Sequence, residues 1–233
     1  MKDQYFGDVH DFAKYAFLRH WTEAGWGPFL VGWYRTPPDG RSDGGQLHYL
    51  EEPEKWRHRD PPLFDFLKER IGAGVRQLKA VEDSGLLRGA RFHRPELSPQ
   101  PQRRRSWRQT LVADAGFAKS LFLDPDNGLE IPSLPPGRKG SERYVLWSEL
   151  QDLWPFNKPI FIYQHLPRRD RRLYFEQWSR RIERRLSGCH PKLILGGRIG
   201  FWILDRNGRP EVSKLLPPKW ADRFRCQFQT AME

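Results

Sequence analysis

Of the 233 residues, 38% are hydrophobic and 14% aromatic, which is enough for one core and excludes a disordered chain. A formal net charge of +11, carried mainly by clustered arginines, indicates a polyanionic partner, with nucleic acid favoured over a merely basic surface. Two cysteines exclude a disulfide framework, and because no apolar run suits a signal peptide or a membrane span, we expect one cytoplasmic domain over residues 1–233 that does not contact a membrane.

The chain opens with a predicted helix that precedes the first strand. Apolar residues recur at mostly helical spacing from Asp8 to Trp21, and Asp8 or Asp11 can serve as the N-cap. Short apolar runs bounded by turn residues predict the strands, which are residues 29–33, 91–93, 120–123, 159–163, 192–195 and 200–204. Helical spacing predicts three further helices, at residues 63–78, 147–153 and 168–186. A long polar loop, residues 35–45, follows the first strand.

The alternation of strands and helices predicts an α/β fold with a mostly parallel sheet. The last two apolar runs are close enough in sequence to form a hairpin, so one antiparallel strand is expected in the sheet. In open parallel sheets, ligands bind beyond the carboxyl ends of the strands. The polar residues that directly follow residues 120–123 and 159–163 are therefore the candidate site residues.

Two carboxylates and an amide follow the first of these strands. Asp124, Asp126 and Asn127 stand in the sequence Asp-Pro-Asp-Asn-Gly, and Pro125 restricts the backbone between them. These side chains suit catalysis or ligand binding at the edge of the sheet. A turn of the Asx type, which only closes a loop, explains the same residues equally well.

A phenol, an amide and an imidazole follow the second strand, as Tyr163, Gln164 and His165. His165 can act as an acid, a base or a metal ligand. A lone histidine is also commonly a structural hydrogen-bonding residue, so both interpretations stay open. Any joint role of His165 and Asp124 requires the two strands to be neighbours in the sheet.

One basic segment, residues 95–108, is predicted to be a mobile loop because its arginines stand among Pro, Gln and Ser. Its candidate substrate contacts are Arg103, Arg104, Arg105 and Trp107. An indole beside several guanidinium groups suits stacking on an unpaired base. A surface loop without this function explains the same composition.

The second basic segment, from Arg168 to Arg185, has eight arginines against three acidic residues, a local charge of +5. Pairs within one helix cannot neutralise this excess, so the segment can contact phosphates. Arg168 and Arg169 are the candidates nearest to the second strand. A solvated helix face is the alternative.

The order of these features resembles the bacterial large-subunit ribosomal RNA adenine-N6 methyltransferases. In that family Ala-Gly-Asn-x-x-Asp-x-x-Lys-His precedes the first strand, and the corresponding stretch here keeps Gly7, Asp11 and Lys14. The family's Asp-Pro-Pro-Tyr, after the fourth strand, corresponds to Asp124-Pro125, which Asp-Asn follows here instead of Pro-Tyr. A closer likeness, to bacterial proteins that share Gln-Tyr-Phe-Gly-Asp, Asp-Pro-Asp-Asn-Gly-Leu-Glu and Tyr-Gln-His segments, implies no particular activity.

The resemblance implies a single-domain class I methyltransferase fold, of the Rossmann-like type, and S-adenosylmethionine as the cofactor. The cofactor-binding residues that it implies are Lys14, Tyr15, Arg35 and Asp39. It implies a nucleic-acid substrate, with RNA favoured. The target would be an exocyclic amine of a base, from which Asp124 would accept a hydrogen bond. Tyr163 or Trp107 would replace the family's stacking aromatic. The loop after the first strand departs from the family's Asp-x-x-Ala-Gly-x-Gly, since Pro37-Pro38 stand there.

Two other functions stay open. A metal-dependent nuclease or phosphodiesterase would use Asp124, Asp126 and Glu130 as oxygen ligands for Mg²⁺ or Mn²⁺, with His165 or Lys139 assisting. A noncatalytic RNA-binding protein of the same fold would need only the arginine segments.

Overall fold

The computed structural model describes residues 1–37, 44–208, 211 and 214–228. Nine strands are described: β1 (Phe29–Trp33), β2 (Arg91–His93), β3 (Ser120–Asp124), β4 (Gly128–Leu129), β5 (Tyr144–Val145), β6 (Ile160–His165), β7 (Lys192–Leu195), β8 (Ile199–Leu204) and β9 (Arg225–Phe228). Strands β4 and β5 pair with each other, and the other seven form one sheet in the order β2-β1-β3-β6-β8-β7-β9.

Five strands of the large sheet, β2, β1, β3, β6 and β7, point in the same direction. Strand β8 runs antiparallel to both β6 and β7, as the predicted hairpin requires. The mostly parallel α/β fold is therefore confirmed. A second antiparallel strand, β9, pairs with β7 at the edge of the sheet. The sequence did not predict β9, because Arg225-Cys-Gln-Phe228 is short and partly polar, as edge strands commonly are.

Seven α-helices connect or cover the strands: α1 (Val9–Glu23), α2 (Pro53–Trp56), α3 (Pro61–Gly72), α4 (Leu78–Asp83), α5 (Pro101–Asp114), α6 (Trp147–Leu153) and α7 (Arg171–Arg185). The helix predicted over residues 63–78 ends early, because Gly74 has a φ of +72° that a continuing helix cannot contain. The helical parts of the described chain are all too short or too polar to cross a lipid bilayer.

The large sheet is covered on both faces, which explains why its strands read as continuous apolar runs. Alternate side chains of a strand point to opposite faces, so Phe29 and Val31 join one buried cluster and Leu30 joins the other. Helix α1 packs on the first face, where the ring centroid of Trp21 lies 4.5 Å from that of Phe161. Helices α5, α6 and α7 supply the second cluster.

The connections place a crevice between the carboxyl ends of β1 and β3. From β1 the chain crosses to β2 on one side, whereas from β3 it reaches β6 on the other side. The two strands pair in parallel up to Trp33 and Asp124, and their following loops diverge from there. Ligands of open α/β sheets bind at such a switch point. Asp124, Tyr163, Gln164 and His165 therefore lie at one edge of neighbouring strands.

The prediction of a mobile loop at 95–108 is wrong from Pro101 onward. Helix α5 begins there, with proline at the first helical position, where its missing N–H costs nothing. Trp107 is buried and donates a hydrogen bond from Nε1 to the Pro95 carbonyl at 3.0 Å. It cannot stack on a base in this position. Arg103 and Arg105 are exposed on the same helix.

Arg104 is also buried, and its surroundings show why it is not a substrate contact. Its Nε lies 2.6 Å from Oε1 of Glu149, a carboxylate with no exposed surface. The guanidinium also donates to the carbonyls of Ser141 and Tyr144, at 2.7 and 2.6 Å. The Tyr34 hydroxyl completes the cluster by donating to Glu149 Oε2 at 3.0 Å. Three sequence-distant segments are thus tied together by one arginine that looks like surface charge in the sequence.

Replacing Arg104 with Met should lower the free energy of unfolding by about 3–5 kcal/mol, because Glu149 would keep a buried charge without its cation. Urea unfolding followed by circular dichroism measures this change. The matched change Arg103→Met, on the exposed face of α5, should stay within about 0.5 kcal/mol of the wild type. Equal effects of the two substitutions would contradict a structural role for Arg104.

Candidate functional site

A cleft of about 600 Å³, named the central cleft below, opens at the carboxyl ends of β3 and β6. Its lining residues come from the start of α1, from residues 44–46, and from the carboxyl ends of β3 and β6. Four carboxylates line it, those of Asp8, Asp11, Asp124 and Asp126. Among the described residues, the cationic groups that line it are the Met1 amino group and the Lys14 and Arg143 side chains, so the carboxylates are in excess by one.

A buried ion-pair cluster closes the floor of the central cleft. The Lys14 ammonium lies 3.0 and 3.2 Å from the two carboxylate oxygens of Asp124 and 2.7 Å from Oδ1 of Asp11. Burial would lower the pKa of Lys14, but the Asp11 and Asp124 carboxylates raise it well above its usual range, so the amine stays charged. Burial raises the pKa of Asp124 above its ordinary value, and Lys14 limits that rise. The contact joins α1 to the end of β3.

Asp8 begins α1 and lies at the side of the central cleft. Its carboxylate caps the helix by accepting hydrogen bonds from the His10 and Asp11 amides, both at 2.9 Å. Burial, followed by repulsion from the Asp11 carboxylate, raises the pKa of Asp8 from 3.8 to about 7. A buried carboxyl that titrates near neutral pH is suited to accept or release a proton during catalysis.

Asp126 has buried carboxylate oxygens that accept no hydrogen bond from the described residues. Its Oδ1 lies 2.6 Å from the Met1 amino group as an ion pair, and the Lys2 ammonium is 3.9 Å from Oδ2. Buried carboxylates normally accept several hydrogen bonds. Oδ2 of Asp126, which accepts no hydrogen bond from the described residues, therefore offers acceptor capacity to a ligand in the central cleft.

Neutral imidazoles line the opening of the central cleft. Burial and the nearby charge of Lys14 lower the pKa of His10 to about 4. Burial and the charge of Arg198 also lower the pKa of His165. Both rings are consequently uncharged at neutral pH and can donate or accept hydrogen bonds. Tyr163 lies deeper, with its ring centroid 4.8 Å from the Lys14 ammonium, and is buried.

Gln164 has a structural role that the sequence did not reveal. Its Oε1 accepts from the Leu129 amide at 3.0 Å, and its Nε2 donates to the carbonyls of Asn127 and His165 at 2.8 and 2.9 Å. Gly128 has a φ of +118°, and a side chain there would overlap the Gln164 amide. The glutamine thus holds the Asp-Pro-Asp-Asn-Gly segment against β6 and has no group left for a substrate.

Of the four residues predicted to bind the cofactor, the structure describes three and separates them. Lys14 lines the central cleft, whereas Tyr15 is buried behind it and donates from its hydroxyl to Asp11 Oδ2 at 2.9 Å. Arg35 lies 3.6 Å from Asp3 and does not line the central cleft. Asp39 lies outside the described residues.

The carboxylates proposed as metal ligands do not come together. Asp124 is engaged by Lys14, and Glu130 Oε2 accepts from the Trp147 amide at 2.9 Å, at the start of α6. In the described part of the chain, no group of three or more His, Cys, Asp or Glu side chains is placed to hold a metal ion. The geometry therefore gives the nuclease hypothesis no support.

Of the exposed arginines predicted to bind substrate, Arg169 lines a second cleft that adjoins the central cleft, and Arg168 is exposed beside it. Sequence reasoning did not select Asp8, His10, Tyr5 or Arg143 as site residues, although all four line the central cleft. Asp8 carried a signal, since it matches the position of the family's Asn before the conserved Asp and Lys. The other three had none.

No protein-family model matches the chain, and no curated protein is significantly similar to it in sequence. We therefore infer its function from the geometry of the central cleft and from the motifs that build it.

Asp8→Asn should raise the free energy of unfolding at pH 8 by about 1–3 kcal/mol, because it removes a buried charge and keeps a good N-cap. The folded-state pKa of about 7 lies above the unfolded value of 3.8, so this carboxyl favours folding below about pH 4 and loses that contribution as the pH rises to 7. The gain should shrink steadily from pH 7 to pH 4 in urea unfolding. A pH-independent difference would contradict the raised pKa.

Proposed function

We propose that this protein transfers a methyl group from S-adenosylmethionine to an amine of a nucleic acid, with RNA favoured, in the central cleft. One observation carries the proposal. Two motifs that resemble separate parts of the adenine-N6 methyltransferases, Asp11 with Lys14 and Asp124 with Pro125, meet in one buried cluster at 3.0 Å although 110 residues separate them.

The cluster is better explained by a functional site than by fold stability. A buried ion pair with carboxylates in excess contributes little to stability, because the desolvation of its charges offsets their attraction. Perturbed acidic groups at the mouth of a cleft are typical of functional sites. Both features occur here at the carboxyl edge of the sheet, where ligands of such folds bind.

The residues of the central cleft fit S-adenosylmethionine. The cleft volume of about 600 Å³ is in the range of cofactor sites. The excess of carboxylates suits a ligand that carries a sulfonium and an ammonium group. Oδ2 of Asp126, which accepts no hydrogen bond from the described residues, would accept from the cofactor's hydroxyl or ammonium groups. The cofactor, when bound, supplies an electrophilic methyl group.

The chain's own residues would position the target amine and take its proton. The Lys14–Asp124 pair fixes α1 against β3, and the backbone that follows Asp124 then faces the cleft in one position. Asp124 itself is fully buried and both its oxygens face Lys14, so the acceptor role expected for it passes to other groups. Asp8 is the best proton acceptor, since its pKa of about 7 matches the pH at which it must act.

Isothermal titration should show one S-adenosylmethionine bound per chain, with binding weakened about tenfold or more in Asp126→Ala, because the ligand loses a buried charged acceptor. The matched control is Asp152→Ala, an exposed carboxylate on α6. No heat with the wild type, and no competition by S-adenosylhomocysteine, would refute the proposed function. An unchanged affinity in Asp126→Ala would remove that residue from the cofactor site.

Methyl transfer to cellular RNA should fall about 100-fold in Asp8→Asn, because an amide cannot accept the amine's proton. Single-turnover incorporation of a labelled methyl group measures the rate. The variant should meanwhile bind the cofactor and unfold at a denaturant concentration no lower than the wild type. A rate equal to that of the wild type would exclude Asp8 as the proton acceptor.

A further inference from the structure

Two more clefts adjoin the central cleft. One, of about 600 Å³, lies beside helix α7 and shares Asn127 and His165 with the central cleft; it is called the α7 cleft. The other, of about 500 Å³, is called the Trp56 cleft and shares His10 and Gln46 with the central cleft. Because each neighbouring pair has lining residues in common, the three clefts adjoin one another in a row, which is called the trough.

The trough crosses the carboxyl edge of the large sheet. The α7 cleft lies on the face covered by α6 and α7, and the Trp56 cleft lies on the face covered by α1. Strand β8 starts at this same edge, since Ile199 pairs with His165. A ligand long enough to follow the trough would therefore pass over the central cleft from one helical layer to the other.

Charge is segregated along the trough. The α7 cleft is lined by Arg169 and Arg181, and the Trp56 cleft by Arg198 and Arg223. Among the described residues, no carboxylate lines either of these two outer clefts, whereas four line the central cleft. Such a pattern suits a ligand with negative charge on both sides of an uncharged or cationic middle.

In each outer cleft, one of these arginines is held against an indole. The guanidinium of Arg181 lies 5.2 Å from the ring centroid of Trp178, and that of Arg223 lies 4.0 Å from Trp56. Tryptophan holds the guanidinium by cation–π attraction and leaves its N–H groups free for phosphate. The outer face of the Arg223 guanidinium can then stack on an unpaired base, whereas Arg181 also contacts a second indole, that of Trp147, at 5.4 Å.

We propose that the trough binds an extended single strand of nucleic acid, with Arg181 and Arg223 each contacting the strand on one side of the central cleft. For what happens in the central cleft, the inference rests on the proposed function, since one base of the strand would enter it there. A single strand is favoured over a duplex because base faces are open to arginine and aromatic side chains only when the bases are unpaired.

Fluorescence anisotropy with labelled 12-nucleotide RNA, its DNA counterpart and the corresponding duplexes tests this inference on the full chain. Single strands should bind about tenfold more tightly than duplexes. Arg181→Ala and Arg223→Ala should each weaken single-strand binding about tenfold, and together more than either alone. The matched controls Arg180→Ala and Lys219→Ala remove the same charge from positions outside the trough, and should change the affinity less than about twofold.

A second variant and a shorter strand guard against indirect effects. Gln177 is exposed and lines the α7 cleft, so Gln177→Glu places a negative charge there without removing packing, and should also weaken single-strand binding. A trinucleotide that binds in one outer cleft at a time still finds the other cleft intact in each single variant, so only the double variant should weaken its binding about tenfold. Equal affinities for RNA and DNA strands would show that the trough does not contact the 2′-hydroxyl, whereas a higher affinity for RNA would identify RNA as the ligand.

The inference is overturned if duplexes bind as tightly as single strands, or if the control substitutions weaken binding as much as those in the trough. Failure of the trough is distinguishable from failure of the proposed function. If the protein binds S-adenosylmethionine but the trough substitutions leave its affinity for single strands unchanged, only the inference about the trough is refuted. If the protein binds single strands through Arg181 and Arg223 but binds no cofactor, the methyltransferase proposal is refuted and the inference about the trough is supported. The protein would then be a noncatalytic nucleic-acid-binding protein.

Discussion

The contact between the Lys14 ammonium and the Asp124 carboxylate, at 3.0 Å, is the interaction on which the site depends. It joins the first helix to the carboxyl end of a central strand, and both groups are buried. Without the ammonium, the carboxylates of Asp11 and Asp124 would repel each other in a medium that screens charge poorly. Without those carboxylates, a buried lysine would lose its proton. Each group therefore stabilises the charge of the other. Their contact fixes the position of α1 against the carboxyl end of β3.

The same contact leaves the site with unneutralised acidity. The Lys14 ammonium contacts both Asp11 and Asp124, and Asp8 lies close by. Because burial and repulsion from Asp11 raise its pKa to about 7, the Asp8 carboxyl is partly protonated near neutral pH. Groups poised in this way reduce stability and are retained where chemistry requires them. The stability of the start of α1 and the raised pKa of Asp8 in the central cleft are thus two consequences of one charge arrangement.

A second buried cation, Arg104, organises the opposite face of the sheet. It fixes Glu149 and two backbone carbonyls, whereas its neighbours Arg103 and Arg105 remain in solvent. The high arginine content therefore contains two physically different populations. Arginines of one group are buried and link segments of the chain, whereas those of the other group lie on the surface and at the outer clefts.

The sequence by itself determined the mostly parallel α/β sheet, helix α1 and the location of the Asp-Pro-Asp-Asn-Gly segment after a strand, because these depend on local apolar periodicity and on turn residues. Motif likeness also made Lys14 a candidate cofactor-binding residue and Asp124 a candidate catalytic residue, but it did not predict that the two side chains are in contact. Only the tertiary structure decided which polar groups are buried: Arg104, Trp107 and Gln164 became structural, while Asp8 and His10 entered the site. Burial depends on contacts between residues that are far apart in the chain, and local sequence patterns do not predict those contacts.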